Sequence, residues 1–233
     1  MATSKQKIIL LHGALGTSQD LKPLADLLTE HGFEPLSFNF SGHGAGTTWP
    51  DQFRIDLFAQ DLEKYLVTHK LTKIPVFGYS MGGYVALYHK VNYENSPLSS
   101  IITYGTKFNW SESGVNKELP MLNPDHLSEK FPQFAESLIQ KHGERWKSIL
   151  RSTAHMMQNL QKIDGLTKED LNDLDLPVTL ILGDLDRMVT TEESHLSASW
   201  IPHCQVKTLT HSKHELERAN LKELAQTIYD VLN

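Results

Sequence analysis

The sequence predicts an α/β protein in which a mostly parallel, doubly wound sheet carries helices on both faces. Short apolar segments of strand length alternate along the 233 residues with longer segments whose apolar residues recur at helical spacing. Glycine-rich turns follow several of the apolar segments. Because parallel strands are joined by right-handed crossovers through helices, this alternation favours one open sheet, and the chain is long enough to bury a substantial core around it.

Six segments rich in Ile, Val, Leu and Phe are the predicted strands. They span residues 6–11, 33–40, 73–79, 98–104, 177–182 and 205–209. Between and after these segments, apolar residues recur every three to four positions, which predicts amphipathic helices. The predicted helices span residues 18–30, 53–69, 81–92, 191–199 and 217–232.

One long segment interrupts the alternation. After the fourth predicted strand there is no further strand pattern for about 70 residues, and two helical patterns occur at 125–141 and 144–161. Because ligands of open parallel sheets bind at the carboxyl ends of the strands, an insertion at that edge would lie over the binding site. We therefore predict a core formed by residues 1–110 and 174–233, with a helical cap, residues 111–173, inserted in it.

Composition and charge exclude several classes of function. The 22 Lys and Arg residues against 28 Asp and Glu give a net charge of −6, which argues against binding nucleic acid. No apolar segment has the length of a membrane span, and the N-terminal segment does not have the pattern of a signal peptide. One cysteine cannot form an intramolecular disulfide. We expect a cytoplasmic protein with a small-molecule substrate and no metal or cofactor, and nothing in the sequence specifies an oligomeric state.

The strongest chemical signal is the segment Gly78-Tyr79-Ser80-Met81-Gly82-Gly83, which contains the pattern G-x-S-x-G. It lies between a strand-like and a helix-like segment, which is the context of a nucleophile elbow. In such a turn the serine is held in a strained conformation that lifts its hydroxyl above the sheet, and the glycines let two backbone segments approach closely. The sequence therefore predicts Ser80 as a catalytic nucleophile at the N-terminus of a helix, whose dipole favours negative charge.

These motifs resemble those of the α/β-hydrolase superfamily, in particular its small esterase-like serine hydrolases with a helical cap, over nearly the whole chain. His12-Gly13 follows the first predicted strand, Ser41-Gly42-His43-Gly44 follows the second, and the Ser80 elbow follows the third, as in the family. The chain departs from the family in having Ser41 where a Pro is usual, and in having no room for two antiparallel strands at the N-terminus. The resemblance implies the α/β-hydrolase fold, trimmed to about six strands, all of them parallel.

A serine hydroxyl needs a base to take its proton and a carboxylate to orient that base. The resemblance implies that the acid and then the histidine follow the serine along the chain. The segment 183–189 is similar to the family's G-x-x-D-x-x-V turn, which selects Asp186 and leaves Asp184 as the alternative. The His-Glu-Leu that precedes the closing helix selects His214, with His211 as the alternative because it lies closer to the strand end.

Acyl transfer also requires two hydrogen-bond donors that face the developing oxyanion. The resemblance implies that one donor is the backbone N–H of Met81, the residue after the nucleophile. The other would come from the turn after His12-Gly13, where Ala14 is the first choice and Leu15 the second.

The predicted substrate pocket is apolar. Its candidate residues are Leu15, Tyr79, Trp110, Trp146 and Met157. The helical pattern at 144–161 would place one apolar stripe over the sheet edge, and no acidic residue occurs in 145–162. The expected substrate therefore has a neutral, apolar acyl group of short to medium length.

The leading hypothesis is a serine hydrolase that cleaves a small ester or related acyl compound, as a carboxylesterase does. A lyase or a C–C hydrolase of the same fold is an alternative, because the elbow also resembles that of a menaquinone-pathway lyase. In that lyase a basic residue follows the elbow glycines, whereas this chain has Tyr84. A non-enzymatic receptor for a small ligand that retains the triad is the third hypothesis.

Overall fold

The computed structural model describes residues 5–44 and 47–233, and six strands in these ranges form one parallel sheet. The strands are β1 (Gln6–Leu11), β2 (Phe33–Ser37), β3 (Ile74–Tyr79), β4 (Leu98–Tyr104), β5 (Val178–Gly183) and β6 (Cys204–Leu209). Their order across the sheet is β2-β1-β3-β4-β5-β6, with every neighbouring pair parallel. The predicted fold class and the all-parallel, six-stranded sheet are confirmed.

The α-helices of the described residues lie on both sides of this sheet and in the segment between β4 and β5. They are α1 (Lys22–Glu30), α2 (Ile55–Thr68), α3 (Met81–Asn92), α4 (Glu112–Glu118), α5 (Pro124–Lys130), α6 (Pro132–His142), α7 (Trp146–Asn159), α8 (Lys168–Asn172), α9 (Thr191–Ala198) and α10 (Leu221–Leu232). All but α4 and α8 fall within or overlap a helical pattern of the sequence.

Several boundaries differ from the prediction for local reasons. The expected helix at 125–141 is two helices, because Pro132 disfavours a helical conformation of the preceding Phe131, whose φ and ψ are −136° and 59°. The short helix α4 was not predicted; the Ser111 side chain caps it by accepting a hydrogen bond from the Gly114 N–H. The closing helix begins at Leu221 rather than 217, because Asn220 caps it.

The sheet is buried on both faces, as a parallel sheet requires. Alternate residues of β1 illustrate this arrangement. Ile9 and Leu11 pack in the cluster that contains residues of α2 and α3, whereas Ile8 and Leu10 pack in the cluster formed with α1 and α10. The strand positions are therefore fixed from two sides, which makes the carboxyl edge of the sheet a rigid platform for a site.

The described residues between β4 and β5 contain helices and no strand. Part of this segment has its own apolar cluster, formed around Leu127, Leu138 and Leu150, all fully buried. Its treatment as a separate cap domain, with the bounds 111–173, stays a prediction.

A buried histidine ties the inserted segment to the core. The Nε2 of His142, at the end of α6, donates to the carbonyl of Leu15 at 2.9 Å, while the backbone N–H of Gly44 donates to its Nδ1 at 3.1 Å. One neutral imidazole satisfies both bonds with its proton on Nε2. The neighbouring Lys141 forms an ion pair with Asp20 of the core at 2.9 Å.

Two further buried histidines, His12 and His43, lie beside His142, with ring centroids 5.0 Å apart for His12–His43 and 6.3 Å apart for His43–His142. Burial lowers the pKa of His12 to about 4, and it lowers the pKa of His43 and of His142 below the usual range. All three are held neutral in the fold, so protonation opposes folding.

We expect acid to destabilise the fold through these histidines. Below pH 6.5 the unfolded chain binds protons that the folded chain does not, so the free energy of unfolding falls as the pH falls. His12 alone contributes a loss of about 2 kcal/mol between pH 8 and pH 5.

Urea denaturation at pH 8 and pH 5 measures this loss in the free energy of unfolding. The variant His142→Gln, which keeps a donor and an acceptor but does not titrate, should show a smaller loss than the wild type. Exchange of the exposed His195 for Gln is the control, and equal stability of the wild type at the two pH values would contradict the prediction.

Candidate active site

The turn between β3 and α3 has the backbone geometry of a nucleophile elbow. Ser80 has φ 49° and ψ −112°, a conformation that is strained for any residue with a Cβ. The turn is tight because a Cβ on Gly78 would lie 2.3 Å from the Gly83 nitrogen, and a Cβ on Gly82 would lie 2.5 Å from the Leu11 carbonyl oxygen. These contacts explain the glycines on either side of Ser80.

Neighbouring strand β4 fixes the elbow in place. The Ser80 N–H donates to the carbonyl of Tyr104 at 2.8 Å, and the Ser80 carbonyl accepts from the Thr106 hydroxyl at 2.9 Å. Both backbone groups of the serine are thus committed, and only its side chain is left to act.

An acid–base pair lies at the same edge of the sheet. The Asp186 Oδ2 accepts a hydrogen bond from His214 Nδ1 at 2.9 Å, and its Oδ1 accepts from the backbone N–H groups of Met188 and Val189 at 2.8 and 2.9 Å. Burial by itself would raise the pKa of Asp186. The hydrogen bond from His214, the electrostatic attraction of that imidazole for the carboxylate and the two backbone N–H groups outweigh burial and lower the pKa of Asp186 below its ordinary value.

This hydrogen bond assigns the tautomer of the imidazole. With its proton on Nδ1, neutral His214 presents the lone pair of Nε2 as a proton acceptor. The hydroxyl of Tyr104 donates to the carbonyl of Lys213, which holds the histidine loop against the end of β4. The ring of Tyr79, the residue before Ser80, lies 5.8 Å from the His214 ring, measured between centroids. The described hydrogen bonds include none from the Ser80 hydroxyl itself.

The rival residues lie outside this arrangement. Asp184 is exposed, and its Oδ1 accepts from the backbone N–H of Ser212 at 3.0 Å. The backbone N–H groups of Ser212 and His211 lower its pKa. His211 is exposed with a φ of 52°. Asp184 is thus a turn residue, and the structure brings together Asp186 and His214 instead.

The two expected oxyanion donors flank the serine. The turn after β1 lies against the elbow, since a Cβ on Gly13 would be 3.4 Å from the Ser80 Cβ. Ala14 and Met81 line the same cavity as Ser80, and neither backbone N–H has an acceptor within the described chain. Leu15 has a φ of 62°, and its carbonyl accepts from His142.

An apolar cavity of about 30 Å³, which we call the Ser80 cavity, adjoins the nucleophile. Its lining residues are Ala14, Ile55, Ser80, Met81, Tyr84, Lys107, Trp110, Met156, Met157, Leu160 and Met188. Of the substrate-binding residues predicted from the sequence, Trp110 and Met157 line this cavity. Leu15, Tyr79 and Trp146 do not.

Leu15, Tyr79 and Trp146 pack against other parts of the fold instead. Tyr79 packs under the turn after β1, with its ring 2.8 Å from where a Cβ of Gly13 would lie. Leu15 and Trp146 pack against the apolar cluster of the inserted segment. Trp146 begins α7, and the ten residues to Met156 place it about 15 Å along the helix from the cavity wall.

Two features of the site were not predicted from the sequence. Gly105 follows β4 with a φ of 65°, and a Cβ there would lie 3.0 Å from His214 Nδ1 and 3.4 Å from Asp186 Oδ2. Its position after a strand could have indicated it. Lys107 brings a buried ammonium to the wall of the Ser80 cavity, paired at 3.3 Å with the buried carboxylate of Glu118. No sequence pattern links these two residues.

The part of the chain that the structure describes has neither a metal site of clustered ligands nor a helix that could span a membrane. No group of three or more His, Cys, Asp or Glu side chains in residues 5–44 and 47–233 has the geometry to hold a metal ion. Within the same ranges, no helix combines the length and the apolar composition that crossing a bilayer requires.

Comparison with known proteins agrees with the geometry. Residues 7–163 match the family model of the alpha/beta hydrolase fold, and the chain therefore belongs to this family. A curated relative, the 2-succinyl-6-hydroxy-2,4-cyclohexadiene-1-carboxylate synthase of Yersinia pestis, is 23% identical over 240 residues, which cover 91% of this chain and 82% of the relative.

Solved structures of two esterases share the fold. The esterase of Exiguobacterium antarcticum superposes with a TM-score of 0.80 at 18% identity, covering 98% of this chain and 92% of that one. A thermophilic esterase from Thermogutta terrifontis gives a TM-score of 0.76 at 20% identity, covering 98% and 90%. At these identities the likeness extends to the fold alone.

The contact at Gly105 generates a prediction. In Gly105→Ala the new methyl group would push His214 and Asp186 apart, so kcat/KM for p-nitrophenyl acetate should fall about tenfold or more. Gly32→Ala is the matched control, because Gly32 also has a positive φ, 89°, but has no atom within 4 Å of the added Cβ. Both variants should lose about 1 kcal/mol of stability from the backbone conformation. Equal activity of the two variants would show that Gly105 has only a conformational role.

Proposed function

We propose that this protein is a serine hydrolase that cleaves small carboxylic esters or related acyl compounds through an acyl-enzyme on Ser80. The observation that carries the proposal is the Asp186–His214 hydrogen bond of 2.9 Å at the sheet edge where Ser80 is held with a φ of 49°. An oriented base beside a serine on a nucleophile elbow is the arrangement that activates a hydroxyl.

The proposed reaction has two halves. His214 Nε2 takes the hydroxyl proton as Ser80 Oγ attacks the carbonyl carbon, and the negative charge on the carbonyl oxygen faces the N–H groups of Ala14 and Met81. The tetrahedral intermediate then expels the alcohol, which leaves with the proton from His214. Water attacks the acyl-enzyme in the same way and releases the acid. Asp186 stays ionised throughout and stabilises the imidazolium.

The size and lining of the Ser80 cavity support a small apolar acyl group. Its volume is about 30 Å³, and its walls are methionine, isoleucine, leucine and aromatic side chains together with Lys107, whose ammonium is paired with Glu118. A long acyl chain would have to displace Met156 or Met157 of α7. We therefore propose esters of short-chain acids as substrates.

A lyase is a second candidate. The curated relative at 23% identity is a 2-succinyl-6-hydroxy-2,4-cyclohexadiene-1-carboxylate synthase, not a hydrolase. In a lyase reaction the same base would remove a proton from carbon, and no acyl-enzyme would form. The residue after the elbow glycines is Tyr84, whose hydroxyl is committed to the Leu166 N–H at 2.6 Å. Burial raises its pKa to about 12, so it brings no charge to the site.

The triad assignment predicts three large losses of activity. Ser80→Ala, His214→Ala and Asp186→Asn should each lower kcat for p-nitrophenyl acetate by at least about three orders of magnitude. Their matched controls, His211→Ala and Asp184→Asn, should keep most of the wild-type activity, because these side chains lie outside the hydrogen-bonded pair. Comparable losses in a residue and its control would overturn that assignment.

Covalent labelling, detected by mass spectrometry, and ester turnover together distinguish the candidate functions. A fluorophosphonate should add covalently to the wild type and not to Ser80→Ala if the serine is the nucleophile. Turnover of esters with labelling supports the hydrolase. Labelling without turnover of any ester supports the receptor or the lyase, and full esterase activity in Ser80→Ala would overturn the proposed mechanism.

The Ser80 cavity also predicts which residue limits acyl length. Met157→Ala should raise the ratio of kcat/KM for p-nitrophenyl butyrate to that for the acetate about tenfold, because the removed side chain makes room for two methylenes. Trp146→Ala is the control and should leave the ratio unchanged, since Trp146 packs in another cluster. A change in the Trp146 variant alone would place the acyl group elsewhere.

A further inference from the structure

A second cleft is lined by His214 itself and shares Met188 with the wall of the Ser80 cavity. We call it the His214 cleft; its volume is about 400 Å³. Its charged lining residues, besides His214, are the cations Lys117, Arg187, Lys213 and Arg218 and the acids Glu118 and Glu215. A chain with a net charge of −6 thus places four cations against two carboxylates at this one cleft.

Two of these cations are uncommitted. Glu118 pairs with Lys107 at 3.3 Å, Glu215 pairs with Arg218 at 3.7 Å, and the Lys117 ammonium donates to the carbonyl of Arg187 at 2.9 Å. In the described chain no hydrogen bond or ion pair engages the guanidinium of Arg187 or the ammonium of Lys213. Both acids of the cleft are therefore neutralised by ion pairs, while the charges of Arg187 and Lys213 have no partner in the described chain and are available to a ligand.

The backbone that carries these two cations is tied down next to the acid–base pair. Arg187 follows Asp186 in the chain, and Lys213 precedes His214. The carbonyl of Arg187 accepts from the Lys117 ammonium, and the carbonyl of Lys213 accepts from the Tyr104 hydroxyl. Both exposed side chains therefore extend from backbone that is fixed beside Asp186 or His214.

The position of the cleft relates it to one part of the substrate. In the reaction proposed above, the acyl group occupies the Ser80 cavity, and the leaving alcohol or amine takes its proton from His214. A leaving group that extends from Ser80 past His214 would enter the His214 cleft, which Arg187 and Lys213 line. A carboxylate there would meet a guanidinium, which binds carboxylates with two parallel hydrogen bonds.

We propose that the leaving group of the natural substrate carries a carboxylate, so that the substrate is a hydroxy acid or amino acid acylated by a short apolar acid. This inference rests on the proposed function. The acyl carbon forms a bond to Ser80 Oγ, its bond to the leaving oxygen or nitrogen breaks, and the anionic leaving group departs with the proton from His214. The neutral apolar acyl group expected from the sequence thus occupies the Ser80 cavity, and the anionic leaving group occupies the His214 cleft.

The test compares two acetate esters of similar size, 4-acetoxybenzoate and 4-acetoxybenzamide. The measured quantity is the ratio of kcat/KM for the anionic ester to that for the neutral one. In the double variant Arg187→Gln/Lys213→Gln this ratio should fall about tenfold below the wild-type ratio, and about threefold in Lys213→Gln alone. Because screening weakens exposed charges, 0.5 M salt should reduce the wild-type ratio toward that of the double variant.

The control variant Lys64→Gln/Lys168→Gln removes the same charge from exposed positions that line none of the clefts at the site. It should leave the ratio at the wild-type value. An equal fall in this control would mean that net charge rather than the His214 cleft sets the preference, and it would overturn the proposal. An unchanged ratio in Arg187→Gln/Lys213→Gln would also overturn it, while leaving the esterase assignment intact.

Direct binding keeps the inference testable if neither ester is cleaved. Calorimetry should show that 4-hydroxybenzoate binds the wild type about tenfold more tightly than 4-hydroxybenzamide, and that the double variant loses this difference. Absence of ester turnover together with this binding difference would contradict the proposed function and support the anion site. Equal affinity for the two compounds would overturn the anion site.

Discussion

The site depends on one backbone contact, the approach of α3 to the ends of β1 and β3 without any Cβ between them. Gly82 lies so close to the Leu11 carbonyl, and Gly78 so close to Gly83, that alanine at either position would require the helix to move. At this contact the turn at Ser80 has a positive φ of 49°, the strained conformation of a nucleophile elbow. The turn after β1, which carries the proposed donor Ala14, lies against the same serine. Strain at one residue is stabilised by packing that extends across two strands.

The order of the strands explains why Asp186 and His214 lie at the same edge of the sheet as Ser80. Ser80 follows β3, whereas Asp186 and the His214 loop follow β5 and β6, and adjacent strands lie about 4.8 Å apart. The strand between them, β4, is followed by Gly105, which has no side chain to occupy the space above the strand end. The imidazole of His214 lies in that space, against the position where a Cβ would be. A strand that contributes none of the proposed catalytic side chains is therefore as necessary to the arrangement as those that do.

The sequence predicted what is local and left open what depends on distant contacts. The alternation of strands and helices and the elbow around Ser80 are local patterns, and the parallel sheet of six strands is confirmed. Asp184 and Asp186 lie in the same turn, and their side chains have different partners. Asp184 accepts a hydrogen bond from the backbone N–H of Ser212, whereas Asp186 accepts one from the imidazole of His214. Trp146 and Met157 lie on one apolar stripe of α7, but only Met157 is far enough along the helix to line the Ser80 cavity. The roles of Gly105 and Lys107 needed the neighbouring strands and helices to be placed first.

The inserted segment affects the chemistry in two places at once. Its helix α7 supplies Met156 and Met157 to the wall of the Ser80 cavity. The end of α6 supplies His142, whose bond to the Leu15 carbonyl holds the turn that carries Ala14, the proposed oxyanion donor. Because that bond needs Nε2–H while Gly44 donates to Nδ1, a second proton on the imidazole would break the contact with Gly44. The position of α6 and the position of the turn after β1 are therefore coupled through one neutral imidazole.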